Sequence, residues 1–230
     1  MKSNQIPLAC LAALLITFVS PPTQAGTPDA ANSKVHFPIA DSADYTMVLY
    51  VLPDGTGPGL TNAKVLDPFL GTINATILVE LRDSDDVLVI GYPAVDVWLE
   101  ARDGGLSMCS DNPAIADFNS EYRAGLGFEY CTEFSGPFYG GGHTDLAAGD
   151  QVVVMTASTG STPITSPLND LQMNSADING DLIIDLNDVP LFTSDYYLGV
   201  YVFRSDFHAD GFVNLSDIGV FATTYNRSCP

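Results

Sequence analysis

Positive charge is scarce in this sequence of 230 residues. Only 8 residues are Lys or Arg against 28 Asp and Glu, which gives a formal net charge of −20. Nucleic acids and anionic membranes are therefore poor partners, because both are recognised through clustered basic side chains. The N-terminal apolar run is too short to cross a bilayer, and no other segment is long enough, so we do not expect membrane insertion.

Residues that usually carry catalysis are also few. The chain has 3 His and no Gly-x-Ser-x-Gly, His-Glu-x-x-His or Cys-x-x-Cys motif. Glu129 and Glu133 could share a strand face, but they would then lie about 13 Å apart along the strand. Paired glycosidase carboxylates lie roughly 5–9.5 Å apart. We therefore predict that the protein is not an enzyme.

The N-terminus has the pattern of a secretory signal peptide, residues 1–25. Lys2 supplies the basic end, residues 8–19 form the apolar segment, and residues 23–25 form a small-residue cleavage site. The sequence thus predicts a secreted, extracellular bacterial protein. The small polar residues 26–35 are predicted to form a flexible lead.

Cysteines are few as well. Removal of residues 1–25 would leave Cys109, Cys131 and Cys229, and an extracellular location permits a disulfide. Cys109 and Cys131 lie in the same N-terminal region, so we predict that these two residues pair. Cys229 would then be free or joined to another chain.

Short apolar runs separated by Gly and Pro clusters dominate residues 36–158. The predicted strands are residues 45–52, 75–83, 95–102, 128–134 and 151–156. Alternation is clearest around Val97 and Leu99, with Trp98 and Glu100 on the opposite face. Short strands without helical periodicity predict an all-β, antiparallel sandwich. Residues 159–174 have the Pro- and Thr-rich composition of an interdomain linker.

The order of the segments "LRDSDD", "YPAVDVWLEA", "YCTEFSGPFYGGGH" and "GDQVVVMTAS" resembles bacterial immunoglobulin-like domains of the invasin type. That resemblance implies an immunoglobulin-like sandwich of the kind found in adhesins. Trp98, the only Trp, allows an alternative function, because an exposed indole could stack on a sugar. The protein would then be a carbohydrate-binding module of a polysaccharide-degrading system. Packing of Trp98 under a loop is the competing interpretation.

Residues 175–230 contain an acidic pattern twice, at an interval of 29 residues. Oxygen-bearing side chains at loop positions 1, 3, 5, 9 and 12, with a backbone carbonyl at position 7, are typical of EF-hand calcium loops. In the first loop these positions are Asp177, Asn179, Asp181, Ile183, Asp185 and Asp188. In the second loop they are Asp206, His208, Asp210, Phe212, Asn214 and Asp217.

Two residues depart from this pattern. Leu182 stands where the first loop should have its turn glycine, whereas Gly211 keeps the glycine in the second loop. His208 stands at a ligand position, although calcium prefers oxygen donors, so its role as a ligand is open. With four carboxylates in the first loop and three in the second, we expect the first loop to bind calcium more tightly.

An amphipathic segment follows each loop. Val189, Phe192 and Tyr196 recur as Ile218, Phe221 and Tyr225, which predicts one helix after each loop. A calcium loop followed by a single helix, present twice and with Asp at position 12, resembles the dockerin repeat. The resemblance implies a small α-helical module that binds two calcium ions and docks onto a cohesin-like or other extracellular protein. The partner-contact positions that it implies are Leu186, Asn187, Leu215 and Ser216.

Overall fold

The structure is a computed structural model, and it describes residues 26–37, 46–66, 71–93, 96–102, 104–109, 132–145, 151–164 and 171–230. The predicted signal peptide lies outside the described residues. The strands are β1 (Lys34–His36), β2 (Met47–Tyr50), β3 (Ala63–Val65), β4 (Thr72–Ile73), β5 (Ile77–Glu80), β6 (Val97–Arg102), β7 (Ser107–Met108), β8 (Thr132–Phe134), β9 (Gly140–Gly141), β10 (Gln151–Thr156) and β11 (Leu171–Asn174). The helices are α1 (Asp188–Leu198) and α2 (Leu215–Thr224). The described chain is therefore rich in β-structure, and its two α-helices both lie near the C-terminus.

The described strands form four sheets. The largest has the order β11–β2–β3–β4, in which β11 runs parallel to β2 and the other pairs are antiparallel. An antiparallel sheet has the order β1–β5–β8, and the pairs β10–β6 and β7–β9 are antiparallel as well. The dominance of antiparallel pairing agrees with the β-rich class predicted from the sequence.

One apolar core connects the sheets. Its members include Met47, Leu49, Ile77, Val79, Val97, Leu99, Phe134, Val152, Val154, Leu171 and Met173. In β6, Val97 and Leu99 are buried whereas Trp98 and Glu100 are half-buried, which confirms the predicted alternation. In β2, successive residues are buried on both faces, as expected for a continuous apolar run in an inner strand.

The predicted flexible lead, residues 26–35, contains a turn and ends in β1. The Asp29 carboxylate accepts hydrogen bonds from the Ala31 and Asn32 amides at 2.9 and 3.1 Å and closes a turn. The Asn32 side chain donates to the Asp83 carbonyl oxygen at 2.8 Å, and β1 then pairs with β5. These residues therefore contact the sheets, which their small, polar composition alone did not indicate.

The predicted linker, residues 159–174, also differs from the structure. Ile164 is buried, and its amide donates to the Val154 carbonyl oxygen at 2.9 Å. Residues 165–170 lie outside the described residues, and β11 follows them as a partner of β2. The alternate residues Leu171 and Met173 enter the main core. The end of this segment is therefore a sheet strand, because its apolar residues recur with the period of a strand.

A second apolar core lies beside the helices. It consists of Leu52, Ala176, Ile178, Ile184, Phe192, Phe207 and Phe221. Leu52 follows β2, and the β2 residue Tyr50 packs its ring 5.6 Å from that of Phe207. The Tyr50 hydroxyl also lies 3.3 Å from the Thr224 hydroxyl at the end of α2. The sheets and the C-terminal repeats thus share a core.

The disulfide joins Cys109 to Cys229, so the predicted Cys109–Cys131 pair is wrong. The bonded residues have Cα atoms 6.0 Å apart although 120 positions separate them in sequence. Cys131 lies outside the described residues. Proximity in sequence favoured the wrong partner, because folding brings the C-terminal tail against the segment that follows β7.

Candidate functional site

The first residue of each acidic loop organises the loop through its carboxylate. Asp177 accepts hydrogen bonds from the amides of loop positions 4, 5 and 6, at 3.0, 3.2 and 2.7 Å. Asp206 accepts from the amides of positions 5 and 6, at 3.2 and 2.9 Å. The same carboxylate therefore closes the same turn in both repeats.

The last residue of each loop ties the loop ends together. Asp188 accepts from the Ile178 and Asn179 amides at 2.8 and 3.2 Å, and from the Asp185 amide at 2.9 Å. Its counterpart Asp217 accepts from the amides of His208 at 3.0 Å and Asn214 at 2.9 Å. The hydrogen-bond network thus repeats at the same interval as the sequence pattern. Two segments of similar composition need not form the same hydrogen bonds, so this repetition is a structural finding.

Both loops use left-handed backbone at positions 4 and 6. The first loop has Gly180 at φ 72° and Leu182 at φ 70°, and the second has Ala209 at φ 55° and Gly211 at φ 82°. Each loop thus places one glycine and one residue with a Cβ in this region, where a non-glycine residue costs about 1–3 kcal/mol. Although Leu182 replaces the turn glycine, the first loop has the same left-handed backbone at positions 4 and 6 as the second loop.

Four carboxylates of these loops are buried: Asp177, Asp188, Asp206 and Asp217. Burial, together with the charges of neighbouring Asp residues, raises the pKa of Asp177 to about 6, although backbone hydrogen bonds to this carboxylate act in the opposite direction. Burial also raises the pKa values of the other three carboxyl groups. In the described part of the chain, none of the four forms an ion pair with Lys or Arg. Such groups favour a bound cation, since a nearby positive charge stabilises the ionised form.

The donor chemistry of the first loop fits calcium. Its side chains at positions 1, 3, 5, 9 and 12 all carry oxygen. Ile183 at position 7 has no side-chain oxygen, so its backbone carbonyl would be the donor there. The second loop offers the same arrangement except for His208, whose buried Nδ1 atom has no hydrogen-bond partner. Among the described residues, no three His, Cys, Asp or Glu side chains already surround a single point. The exposed carboxylate of Asp181, for example, caps a backbone amide within its own loop.

The glycine-rich segment that follows Phe138 supports the first loop. The Gly142 amide donates to the Asp177 carbonyl oxygen at 2.6 Å. A Cβ atom at Gly141 would overlap the Asp177 carboxylate, and one at Gly142 would overlap the carbonyl of Gly105. These glycines therefore permit a close approach between β9 and the loop, which their sequence pattern alone indicated only as a turn.

We expect Gly141→Ala to lower the free energy of unfolding by about 2–3 kcal/mol, because the added methyl group must displace a buried carboxylate. Gly219→Ala is the matched control, since a Cβ there meets open space within α2. That change should stabilise the protein by about 1 kcal/mol through helix propensity. Urea unfolding of both variants measures the difference. Equal stability of the two variants would contradict the close approach.

Two residues that fix the second loop were not identified from the sequence. The buried Asn174 donates through its side chain to the carbonyl oxygens of Phe203 and Asp206, at 3.1 and 2.6 Å. Lys64 donates to the His208 carbonyl oxygen at 2.9 Å. Both contacts join segments that are distant in sequence, so no local sequence pattern predicts them. They anchor the second loop to β11 and β3.

A partly buried ion pair fixes the connection between the repeats. Asp195 of α1 accepts from Arg204 at 2.7 and 2.8 Å and from the Ser205 hydroxyl at 2.6 Å. Burial alone would raise the pKa of Asp195, but these hydrogen bonds outweigh burial and lower it. Neither residue was singled out from the sequence.

The predicted partner-contact positions lie on the surface and are matched between the repeats. Leu186 and Leu215 are 70% and 71% exposed, and the helical residues Val189 and Ile218 are 38% and 39% exposed. Asn187 and Ser216 are exposed as well. A groove of about 280 Å³ lies between the helices, lined by Val189, Phe192, Thr193, Tyr196, Tyr197, Ile218 and Phe221. The repeats thus present a duplicated apolar surface. We name it the helix face and define it by Leu186, Val189, Leu215, Ile218 and the groove between the helices.

Trp98, the candidate sugar-stacking residue, is half-buried in β6. Its indole nitrogen lies 3.4 Å from the Glu100 carboxylate, and its backbone partner across the strand pair is Met155. Glu129, the first of the two carboxylates considered for catalysis, lies outside the described residues.

The fold and site define a β-rich protein with two acidic loop–helix repeats packed on its sheets. No protein-family model, curated protein or solved structure matches the chain significantly. Neither α-helix in the described ranges has the length and hydropathy needed to span a bilayer.

Proposed function

We propose that this is a secreted, non-enzymatic protein whose C-terminal repeats bind two calcium ions and dock onto another extracellular protein. The N-terminal region would be an immunoglobulin-like sandwich, and the repeats a dockerin-like module. The observation that carries the proposal is the double recurrence: the hydrogen-bond network of the loops and the exposed leucines both repeat between the two copies.

The calcium sites would be formed by the ligand positions of the two loops. Bound calcium would supply the positive charge that the buried carboxylates lack among the described residues. The turn of each loop is already fixed within the protein, because backbone amides of the loop donate hydrogen bonds to the carboxylate of Asp177 or Asp206. Because each helix starts at or just before loop position 12, ordering of the loops also orders the helix face.

The docking surface would be the helix face around Leu186 and Leu215. Exposed apolar side chains in duplicate suit a partner that buries a largely apolar surface, and tight binding usually depends on a few such anchors. A cohesin-like domain is the partner class implied by the dockerin resemblance. The repeats lack the Ser-Thr pair common in cellulosomal dockerins, so the partner would differ from a standard cohesin.

Docking can be tested with a panel of immobilised recombinant cohesin domains, in calcium and in chelator. We expect binding only with calcium, a loss of about threefold for Leu186→Asp or Leu215→Asp, and a loss of at least about 100-fold for the double variant, because anchor residues dominate such interfaces. Ile90→Asp is the control, since Ile90 is exposed outside the repeats.

Circular dichroism on the same samples confirms that each variant is folded. If the parent chain binds calcium but no cohesin of the panel, the cohesin-like partner is wrong. If the folded double variant binds at full strength, Leu186 and Leu215 are not the docking anchors. Unaltered binding in chelator would contradict the role of calcium.

A further inference from the structure

The C-terminal tail pairs with the first acidic loop through an antiparallel β-bridge and flanking backbone hydrogen bonds. The Ile184 amide donates to the Arg227 carbonyl oxygen at 2.9 Å, and the Asn226 amide donates to the Ile184 carbonyl oxygen at 2.8 Å. Ile183 and Ser228 form a β-bridge, and the Cys229 amide donates to the Leu182 carbonyl oxygen at 3.3 Å. The tail therefore holds loop positions 6–8 from outside the repeat.

These positions include the backbone ligand of the first site. Ile183 occupies position 7, whose carbonyl oxygen is a ligand in loops of this kind. The Leu182 backbone beside it is left-handed, at φ 70°, without the help of a glycine. Hydrogen bonds on both sides of Ile183 thus fix a peptide that the loop sequence alone would hold poorly.

The tail is itself held by contacts with the β-rich region. Cys229 is bonded to Cys109, which is buried and follows β7. The Arg227 guanidinium lies 3.2 Å from the Asp54 carboxylate and also contacts Thr56. The position of the tail, and hence of the Ile183 carbonyl, depends on residues far from the loop in sequence.

The second loop has no equivalent support. Its matching residues, 211–213, form no strand or β-bridge with any other part of the described chain. Contacts from Asn174 and Lys64 reach the start of that loop instead. The two loops therefore have similar internal hydrogen bonds. They differ in that the C-terminal tail pairs with the backbone around position 7 of the first loop only, among the described residues.

We propose that the disulfide-anchored tail positions the Ile183 carbonyl and sets the calcium affinity of the first site alone. Cys109, Arg227 and Cys229 are then positioning residues for that site. The inference rests on the proposed function, because it requires that both loops bind calcium. The geometry of the first site would then depend on three segments: the first loop, the C-terminal tail and the segment around Cys109. Its calcium affinity would also depend on the redox state of the Cys109–Cys229 disulfide.

The test uses the full chain with one site disabled at a time. Asp210→Ala leaves the first site, and the matched Asp181→Ala leaves the second site, since both residues occupy loop position 5. Cys229→Ser is added to each, and calcium chloride is titrated by calorimetry. We expect an affinity loss of about tenfold in the Asp210→Ala background, from weakened backbone hydrogen bonds. In the Asp181→Ala background the change should stay within about twofold.

Arg227→Ala is the second variant, because it keeps the disulfide and removes the side-chain contacts with Asp54 and Thr56. It should weaken the first site by about threefold, as expected for a partly exposed pair, and Arg227→Lys should restore most of the affinity. Hydrogen exchange at the Ile184 amide should accelerate in both tail variants, whereas exchange at Val213 should not.

Equal affinity losses at both sites, or no loss at the first site, would overturn the inference. A parent chain with an intact disulfide that binds no calcium would instead overturn the proposed function on which it rests. The two failures are distinguished by the titration of the parent chain.

Discussion

Reduction of the Cys109–Cys229 disulfide is expected to lower the free energy of unfolding by about 5 kcal/mol, measured by urea denaturation in saturating calcium. The bond spans 120 residues, and in the chain-entropy model a loop of this length restricts the unfolded chain by about that amount. The loss should affect the whole described fold, because the bond connects the segment after β7 with the tail that braces the first loop.

The matched control for this prediction is Cys131→Ser. Because the structure pairs Cys109 with Cys229, a change at Cys131 should leave both the disulfide and the denaturation midpoint unchanged. Peptide mapping under non-reducing conditions identifies the bonded residues directly. A reduced-like midpoint in Cys131→Ser, with an unchanged midpoint in Cys229→Ser, would support the pairing predicted from sequence and contradict the structural one.

Removal of calcium is the second change with a large expected effect. A ligand at about 100 times its dissociation constant stabilises the folded state by about 2.7 kcal/mol, so two sites would contribute about 5 kcal/mol. Chelation should therefore lower the thermal midpoint strongly. The effect should reach the sheets, since Tyr50 and Leu52 share a core with Phe192, Phe207 and Phe221.

Two probes on the same samples test how far this effect extends. Ellipticity at the helical minimum reports on α1 and α2, whereas fluorescence reports on Trp98, the only Trp, which lies in β6. We expect both signals to change in one transition that moves with calcium. If chelation melts the helices while Trp98 fluorescence keeps its original midpoint, the repeats and the sheets are independent units, as the predicted linker implied.

The sequence by itself determined the features that depend on neighbouring residues. The two acidic loops, the helix after each loop and the alternation around Val97 and Leu99 all involve contacts within about a dozen residues. Side-chain periodicity and turn-forming residues report directly on such contacts. The duplicated acidic pattern could therefore be recognised. Leu186 and Leu215, which the sequence analysis named at matching positions, are both exposed.

Only the tertiary structure decided the relations between distant segments. It assigned Cys229 rather than Cys131 to Cys109, made the end of the predicted linker a strand beside β2, and placed the tail against the first loop. Each of these outcomes depends on which surfaces pack together when the apolar core forms. Local sequence patterns do not indicate contacts between segments that are distant in sequence. The glycine-rich segment near Gly141 shows the same division, because its turn was evident in the sequence but its contact with Asp177 arises only through packing.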